Sequence, residues 1–235
     1  TLGYDYYYGS EELGMLDNPP EGAIINNHPW QSDLEMMEKA IPYFINDSKF
    51  FVNMLTVSGH FRYNDVHNIA KLHEQTVLDY EIDQGIELDN QIFWYLAANI
   101  ELDLAIGHLM DELVSANKMD DTVIMIFGDH YAYGVDKNTI WDYDTMKDDG
   151  SDMDIHNVPL LMYSDSSVLT GMIDNYMSSI DFIFKLLSAY VLKYFGRSYF
   201  ISIFNKVKKP FNLTSGCSNS TSSAPALLII WIDLL

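Results

Sequence analysis

The segment at residues 90–127 limits the fold of this chain more than any other. From about residue 90 to residue 117, apolar residues recur at intervals of three and four, which predicts one long amphipathic helix that packs on a sheet. A short polar turn follows, and the apolar run at residues 122–127 predicts a buried strand. A helix, a short turn and a strand in this order make half of a β-α-β unit. We therefore expect an α/β protein.

Three more elements follow from local patterns. Ser32 or Asp33 can cap a helix that runs to about Phe44. Residues 50–57 form a nearly continuous apolar run, which predicts a buried strand in a parallel sheet. Residues 158–163 predict a third strand, and Pro159 within it favours a strand end or an edge position.

The charge of the chain excludes one class of partner. Thirty-four acidic residues stand against 13 basic ones, for a formal net charge of -21. Such a surface repels phosphate backbones, so we expect no nucleic-acid partner.

The single cysteine, Cys217, excludes an internal disulfide framework. No export signal and no membrane-spanning run is visible, which leaves a cytosolic protein or a missing N-terminus as alternatives.

Asp129 and His130 follow the predicted strand at residues 122–127 directly. Open α/β sheets bind ligands at the carboxyl ends of their strands, and a carboxylate next to an imidazole is a common pair of metal ligands. The two residues are therefore the first candidates for a metal site. The alternative is that Asp129 is a solvated turn residue and His130 a surface histidine.

Three segments together resemble a known family. Residues 55–60 (Leu-Thr-Val-Ser-Gly-His), 123–131 (Val-Ile-Met-Ile-Phe-Gly-Asp-His-Tyr) and 156–163 (His-Asn-Val-Pro-Leu-Leu-Met-Tyr) are similar to the catalytic domain of the lipoteichoic acid synthase family. Residues 30–37 and 177–181 add weaker support. These synthases are phosphoglycerol transferases within the alkaline phosphatase and sulfatase superfamily, so the resemblance implies an α/β/α sandwich with a mostly parallel sheet.

The resemblance also implies the chemistry of the site. The family binds one divalent cation, manganese, with zinc or magnesium as alternatives, through a Glu, a nucleophilic Thr and an Asp-His pair that Asp129 and His130 match. His60 matches a substrate-facing histidine that can act as general acid, although it could also simply cap a strand end. Arg62 stands where relatives carry Pro, and it either contacts a phosphate or is exposed. His156 matches a second-metal histidine of some phosphatases, a role that one-metal synthases do not need.

The similarity covers residues 1–181, which we interpret as the C-terminal portion of a catalytic domain that is incomplete at its N-terminus. The family's Thr, its Glu and a Trp-Arg substrate pair would lie before Thr1, so we expect this fragment to be inactive alone. Beyond Asp181 basic residues outnumber acidic ones and the resemblance ends. We interpret residues 182–235 as a doubtful tail, either frameshifted or disordered.

The remaining candidates have simpler interpretations. We expect His28, His67 and His73 in polar loops and His108 within the long helix, without a functional role for any of them. The acidic residues at 142–154 lack the spacing of an EF-hand and predict a solvated loop.

The resemblance implies an enzyme outside the bacterial cell, anchored to the cell membrane by helices upstream of this chain. It would transfer glycerophosphate from phosphatidylglycerol to a growing polyglycerolphosphate chain, as in lipoteichoic acid synthesis. One alternative is a sulfatase or phosphomonoesterase of the same superfamily, because substrate choice depends on residues around the metal rather than on the fold. Another is a non-catalytic fragment that binds glycerophosphate polymer.

Overall fold

The computed structural model of the chain describes residues 4–15, 32–143, 158–165 and 226–232. They all belong to the unit formed by Thr1–Ser167 and Ala224–Leu235. The described helices are α1 (Asp33–Ala40), α2 (Asn68–Leu72), α3 (Glu74–Gln84), α4 (Asn90–Ser115) and α5 (Lys137–Tyr143). The described strands are β1 (Phe51–Leu55), β2 (Thr122–Gly128), β3 (Leu160–Tyr163) and β4 (Ala226–Ile232). The predicted α/β class is therefore confirmed.

Helix α1 begins at the predicted cap. The Ser32 hydroxyl accepts the Glu35 backbone N–H at 2.9 Å, which satisfies one of the free donors of the first turn. Glu35 also pairs with Lys39 one turn later at 2.9 Å. The helix ends at Ala40 rather than near Phe44, because Pro42 cannot donate the next helical hydrogen bond, and the chain continues as the 3-10 turn Ile41–Tyr43.

Helix α4 and strand β2 form the predicted helix, turn and strand. Asp89 caps α4 by accepting the Gln91 N–H at 2.8 Å, and the helix ends at the C-cap Ala116. Asn117 follows with φ of 55°, the left-handed conformation that commonly ends a helix and that Asn tolerates. The 3-10 turn Met119–Asp121 then leads into β2.

The four strands form one sheet in the order β1-β4-β2-β3. β4 runs parallel to both β1 and β2, whereas β3 runs antiparallel to β2. Pro159 lies directly before β3, so the predicted strand-end position is confirmed, and β3 is the outermost described strand on its side of the sheet. The three-layer sandwich and the mostly parallel sheet stay predictions, because the described sheet has only four strands and one antiparallel pair.

The predicted burial of the first strand is wrong. β1 lies at the other side of the described sheet, and within it only Met54 is buried, while Phe51 and Leu55 are 50% and 58% exposed. Among the strands that the structure describes, β1 pairs with β4 alone, which leaves this apolar run exposed.

Strand β4 lies within residues 182–235, which we interpret from the sequence as a doubtful tail. Its continuous apolar sequence, Ala-Leu-Leu-Ile-Ile-Trp-Ile, is typical of a strand covered on both faces, and the structure pairs it with β1 and β2. The other residues of that range lie outside the described ones, so the boundary at residue 181 stays a prediction.

Two apolar clusters pack α4 against the rest of the unit. The first cluster joins the C-terminal half of α4 to α1 and the sheet, and its fully buried members include Met37, Leu109 and Leu113. The second cluster surrounds the N-terminal half of α4. It contains Tyr63, from the loop after β1, and Val135, from the loop after β2. The two loops are thus held together by a shared core. Among the described residues, no helix is both long and apolar enough to cross a membrane.

Candidate metal and substrate site

The loops that follow β1 and β2 lie at the same edge of the sheet. Both strands run parallel to β4, so their carboxyl ends point in one direction, which is where open α/β sheets bind ligands. Phe61 of the first loop packs directly on Gly134 of the second. A Cβ atom at Gly134 would come within 2.3 Å of the Phe61 ring, so this close approach requires glycine. The structure therefore brings together the two segments that carry His60, Asp129 and His130.

Asp129 and His130 are the first residues after β2. His130 Nε2 lies 3.4 Å from Asp129 Oδ1, and the two side chains are 31% and 27% exposed. His130 Nδ1 lies 2.9 Å from the backbone oxygen of Tyr131. A carbonyl oxygen can only accept, so Nδ1 carries the proton and the neutral ring has its lone pair on Nε2. The ring also packs at a tilt on Tyr133, with 4.9 Å between the centroids.

This donor pair fits a divalent cation. A carboxylate oxygen and an imidazole lone pair, both acceptors, lie 3.4 Å apart and are reachable from solvent. The bond from Nδ1 to a backbone carbonyl is the usual way in which proteins orient a metal-binding histidine. Manganese, zinc and magnesium all accept ligands of this kind. No group of three or more His, Cys, Asp or Glu side chains placed for a metal occurs among the described residues.

His60 is half-buried in the loop after β1. Its backbone N–H donates to the Val57 carbonyl at 2.9 Å, which closes the turn 57–60. Its ring Nδ1 lies 2.7 Å from the Phe61 carbonyl oxygen, so Nδ1 donates, as in His130. Tyr63 donates its hydroxyl to the Gly59 carbonyl at 3.2 Å. Arg62 is exposed in the same loop.

Asp33 holds the turn 57–60 in place through hydrogen bonds to its backbone. Its carboxylate accepts the Val57 N–H at 2.8 Å and the Ser58 N–H at 3.0 Å, and its own N–H donates to Ser58 Oγ at 3.1 Å. Asp33 is 2% exposed and Ser58 is fully buried. The first residue of α1 therefore fixes the backbone that precedes His60. The sequence indicates Asp33 only as a possible helix cap, and its contacts with the turn have no local sequence signal.

A second buried carboxylate continues this network. Glu101, on α4, accepts the Ser32 hydroxyl and lies 2.6 Å from His73 Nε2. Burial acts to raise the pKa of Glu101, but the hydrogen bonds from His73 and Ser32 outweigh it, so that the pKa lies below its usual value. The placement of His73 in a polar loop is thus wrong, because His73 lies at the junction of α2 and α3 and its side chain is only 13% exposed.

The remaining sequence candidates are less informative. His67 is not a loop residue either but the N-cap of α2. His108 lies on α4 as expected and is half-buried. Asp142 is exposed on α5, whereas the rest of the acidic segment 144–154, His156 and His28 lie outside the described residues.

Asp33 makes stability depend on pH in a measurable way. Burial raises the pKa of Asp33 to about 6, against hydrogen bonds from Ser58 and Val57 that lower it. The folded chain therefore holds this proton more tightly than the unfolded chain, and the resulting stabilisation is lost as the pH rises through about 6. Between about pH 5 and about pH 8 we expect the free energy of unfolding to fall by about 1 kcal/mol relative to that of Asp33→Asn. Urea denaturation of both proteins measures the difference, and a difference that is constant over this range would contradict the assignment.

Comparisons with known proteins give the family of the chain. A family model described as "Sulfatase" matches residues 1–190. Lipoteichoic acid synthase 1 of Bacillus subtilis (strain 168) is 25% identical over 130 residues, which is 55% of this chain and 18% of the synthase. The chain thus spans less than a fifth of that relative. No solved structure matches.

The family match covers most of the chain, including the loops that carry His60, Asp129 and His130. The resemblance seen in the sequence is confirmed, and members of this superfamily are typically enzymes. The chain belongs to the sulfatase family and is a member of the alkaline phosphatase and sulfatase superfamily that is similar to lipoteichoic acid synthases.

Proposed function

We propose that the full-length protein is a metal-dependent phosphoglycerol transferase and that this chain supplies part of its active site. The observation that carries the proposal is the packing of the His60 loop against the loop that begins with Asp129 and His130, at the carboxyl edge of the sheet. The similarity to a lipoteichoic acid synthase supports the choice of reaction. The reaction would move glycerophosphate from phosphatidylglycerol to a polyglycerolphosphate chain.

In this proposal Asp129 and His130 hold one divalent cation, manganese, with zinc or magnesium as alternatives. When bound, the cation would activate the attacking hydroxyl and neutralise charge on the phosphoryl oxygens. The attacking hydroxyl, a Thr, and the remaining ligand, a Glu, would come from a part of the full-length protein outside residues 1–235. The orientation of the His130 ring by the Tyr131 carbonyl is this chain's own contribution to the site.

His60 is the proposed catalytic residue of this chain. Because Nδ1 is engaged with the Phe61 carbonyl, Nε2 is the ring nitrogen that contacts the substrate in this proposal. As an imidazolium, with a second proton on Nε2, His60 can hydrogen-bond the phosphoglycerol group and pass that proton to the diacylglycerol oxygen as that oxygen leaves the phosphorus, which returns the ring to its neutral form. Arg62, exposed in the same loop, supplies a positive charge for a phosphate.

The proposed location is the outer face of the bacterial cell membrane, where phosphatidylglycerol and the polymer meet. The net charge of -21 disfavours loose adsorption to anionic lipid or nucleic acid, so a membrane anchor elsewhere in the full-length protein is part of the proposal.

Hydrolysis of a sulfate or phosphate monoester is the second candidate. It is favoured by the description of the matching family model, "Sulfatase". Both reactions use the same metal chemistry, so the pocket rather than the fold decides between them. A non-catalytic glycerophosphate-binding protein would keep the fold without turnover.

We expect His60→Ala to lower the rate of diacylglycerol release from phosphatidylglycerol by about 10²–10⁴-fold, the usual contribution of a general acid. Bound manganese should be unchanged, because His60 is not a proposed ligand. The assay compares purified full-length wild type and variant in detergent micelles, with sulfate and phosphate monoesters as competing substrates. His108→Ala, on the far half of α4, is the matched histidine control.

Two outcomes would overturn the proposal. Rapid release of sulfate or phosphate from monoesters, with no diacylglycerol formed, would favour the hydrolase. Binding of glycerophosphate polymer without turnover of any of the three substrates would favour the non-catalytic alternative. Wild-type turnover in His60→Ala would remove His60 from the mechanism.

A further inference from the structure

The His67 ring hydrogen-bonds both the first turn of α2 and the His60 loop. Its Nδ1 accepts the Ala70 backbone N–H at 3.1 Å and so caps α2. Its Nε2 lies 3.0 Å from the His60 carbonyl oxygen. A backbone N–H can only donate and a carbonyl can only accept, so these partners fix a neutral ring with its proton on Nε2.

The bond from His67 acts on the peptide that orients the His60 side chain. The carbonyl it holds belongs to the peptide between His60 and Phe61. The His60 ring in turn donates from Nδ1 to the Phe61 carbonyl, one peptide further on. If the first peptide rotates, the acceptor of the His60 ring moves with the chain. The orientation of the His60 imidazole therefore depends on the bond from His67.

Helix α2 is packed into the core, which restricts the movement of His67. Ile69 and Ala70 are 0% exposed, and Ala70 belongs to the second apolar cluster with Trp94 and Ala97 of α4. Lys71 adds a cation-π contact, with its Nζ 5.3 Å from the Trp94 ring centroid. A side chain fixed at the N-cap of such a helix can restrict the movement of a neighbouring loop.

We propose that His67 is a positioning residue that holds the His60 backbone, and through it the His60 imidazole, in the geometry the reaction needs. The proposal rests on the proposed catalytic role of His60. It assigns to His67 a function distinct from helix capping, although the same ring performs both. It also accounts for a histidine at a cap position where Ser, Thr, Asp or Asn is the usual choice.

Two substitutions separate these functions. His67→Asn places an acceptor near the position of Nδ1 and keeps the cap, but it is too short to reach the His60 carbonyl. His67→Gln places an amide donor near the position of Nε2 and keeps that bond, but Gln is a poor cap. Positioning predicts that turnover falls about 10- to 100-fold in His67→Asn and is largely retained in His67→Gln. A purely structural role predicts the reverse order.

The test uses the full-length protein labelled with ¹⁵N-histidine and three readouts: diacylglycerol release, thermal denaturation, and the imidazole resonances of His60 and His130. We expect His67→Asn to keep its melting temperature, shift the His60 resonances and leave those of His130 in place. His108→Asn is the control and should move neither pair. Unshifted His60 resonances in His67→Asn, or higher turnover in His67→Asn than in His67→Gln, would overturn the proposal.

The same data distinguish failure of this proposal from failure of the proposed function. Shifted His60 resonances in His67→Asn combined with wild-type turnover in His60→Ala would support the positioning contact and refute the catalytic role of His60. Loss of turnover in His60→Ala, with His67→Asn matching the wild type in turnover and in the His60 resonances, would keep the function and refute the positioning role.

Discussion

Asp129→Ala and His130→Ala in the full-length protein are each expected to remove bound manganese and turnover together. Each substitution deletes one of two donors that lie 3.4 Å apart at the end of β2. Loss of an outer partner of a metal ligand costs up to about 100-fold in affinity or activity, so loss of the ligand itself should cost more than that. Manganese content after gel filtration and the rate of diacylglycerol release measure the two effects on the same sample.

The controls for this experiment come from α4. Asp103 is an exposed carboxylate and His108 a half-buried imidazole, so Asp103→Ala and His108→Ala remove the same chemical groups away from the candidate site. Both controls should bind manganese as the wild type does. Retention of manganese by both Asp129→Ala and His130→Ala would refute the ligand assignment. Loss of turnover with retained manganese would give the pair a role in substrate binding instead.

Asp33→Ala is expected to lower the free energy of unfolding by about 2–5 kcal/mol. The substitution leaves the backbone N–H groups of Val57 and Ser58 without their acceptor, and each buried donor that loses its partner costs about 1–3 kcal/mol. The Ser58 side chain loses its hydrogen bond to the carboxyl group as well. Urea denaturation of the chain at a pH well above 6, where the carboxylate is ionised, measures the change.

The matched control for Asp33→Ala is Asp111→Ala. Asp111 is exposed on α4, and exposed substitutions away from special features usually change stability by less than about 0.5 kcal/mol. A loss below that value in Asp33→Ala would mean that water or a neighbouring group replaces the carboxylate, and the anchoring of the turn 57–60 would need another explanation.

The elements with strong local signals were predictable from the sequence. The period of α4, the apolar run of β2 and the Ser32 cap of α1 each depend on one continuous segment of the chain, and the structure has all three. Pro159 correctly predicted a strand end. The exposure of β1 was not predictable, because an apolar run gives no information about how many neighbours a strand will have.

Some residues of the candidate site were predictable from the sequence and others were not. His60, Asp129 and His130 stand out because they follow apolar strands and match family motifs. Asp33 and His67 do not follow apolar strands. Their roles come from hydrogen bonds that join different turns and elements of the structure. A pattern search could have noted that Asp33 is a carboxylate in the first turn of a helix, but not that it holds the backbone of Val57 and Ser58.

The position of β4 has a consequence for how the site forms. The two strands that precede the candidate residues are not hydrogen-bonded to each other, and β4 joins them by pairing Phe51 with Leu227 and Thr122 with Ala226. These contacts are far apart along the chain, and such pairings form late and slowly. During synthesis, the sheet and the edge that holds His60 and Asp129 can close only after the ribosome has released residues 226–232.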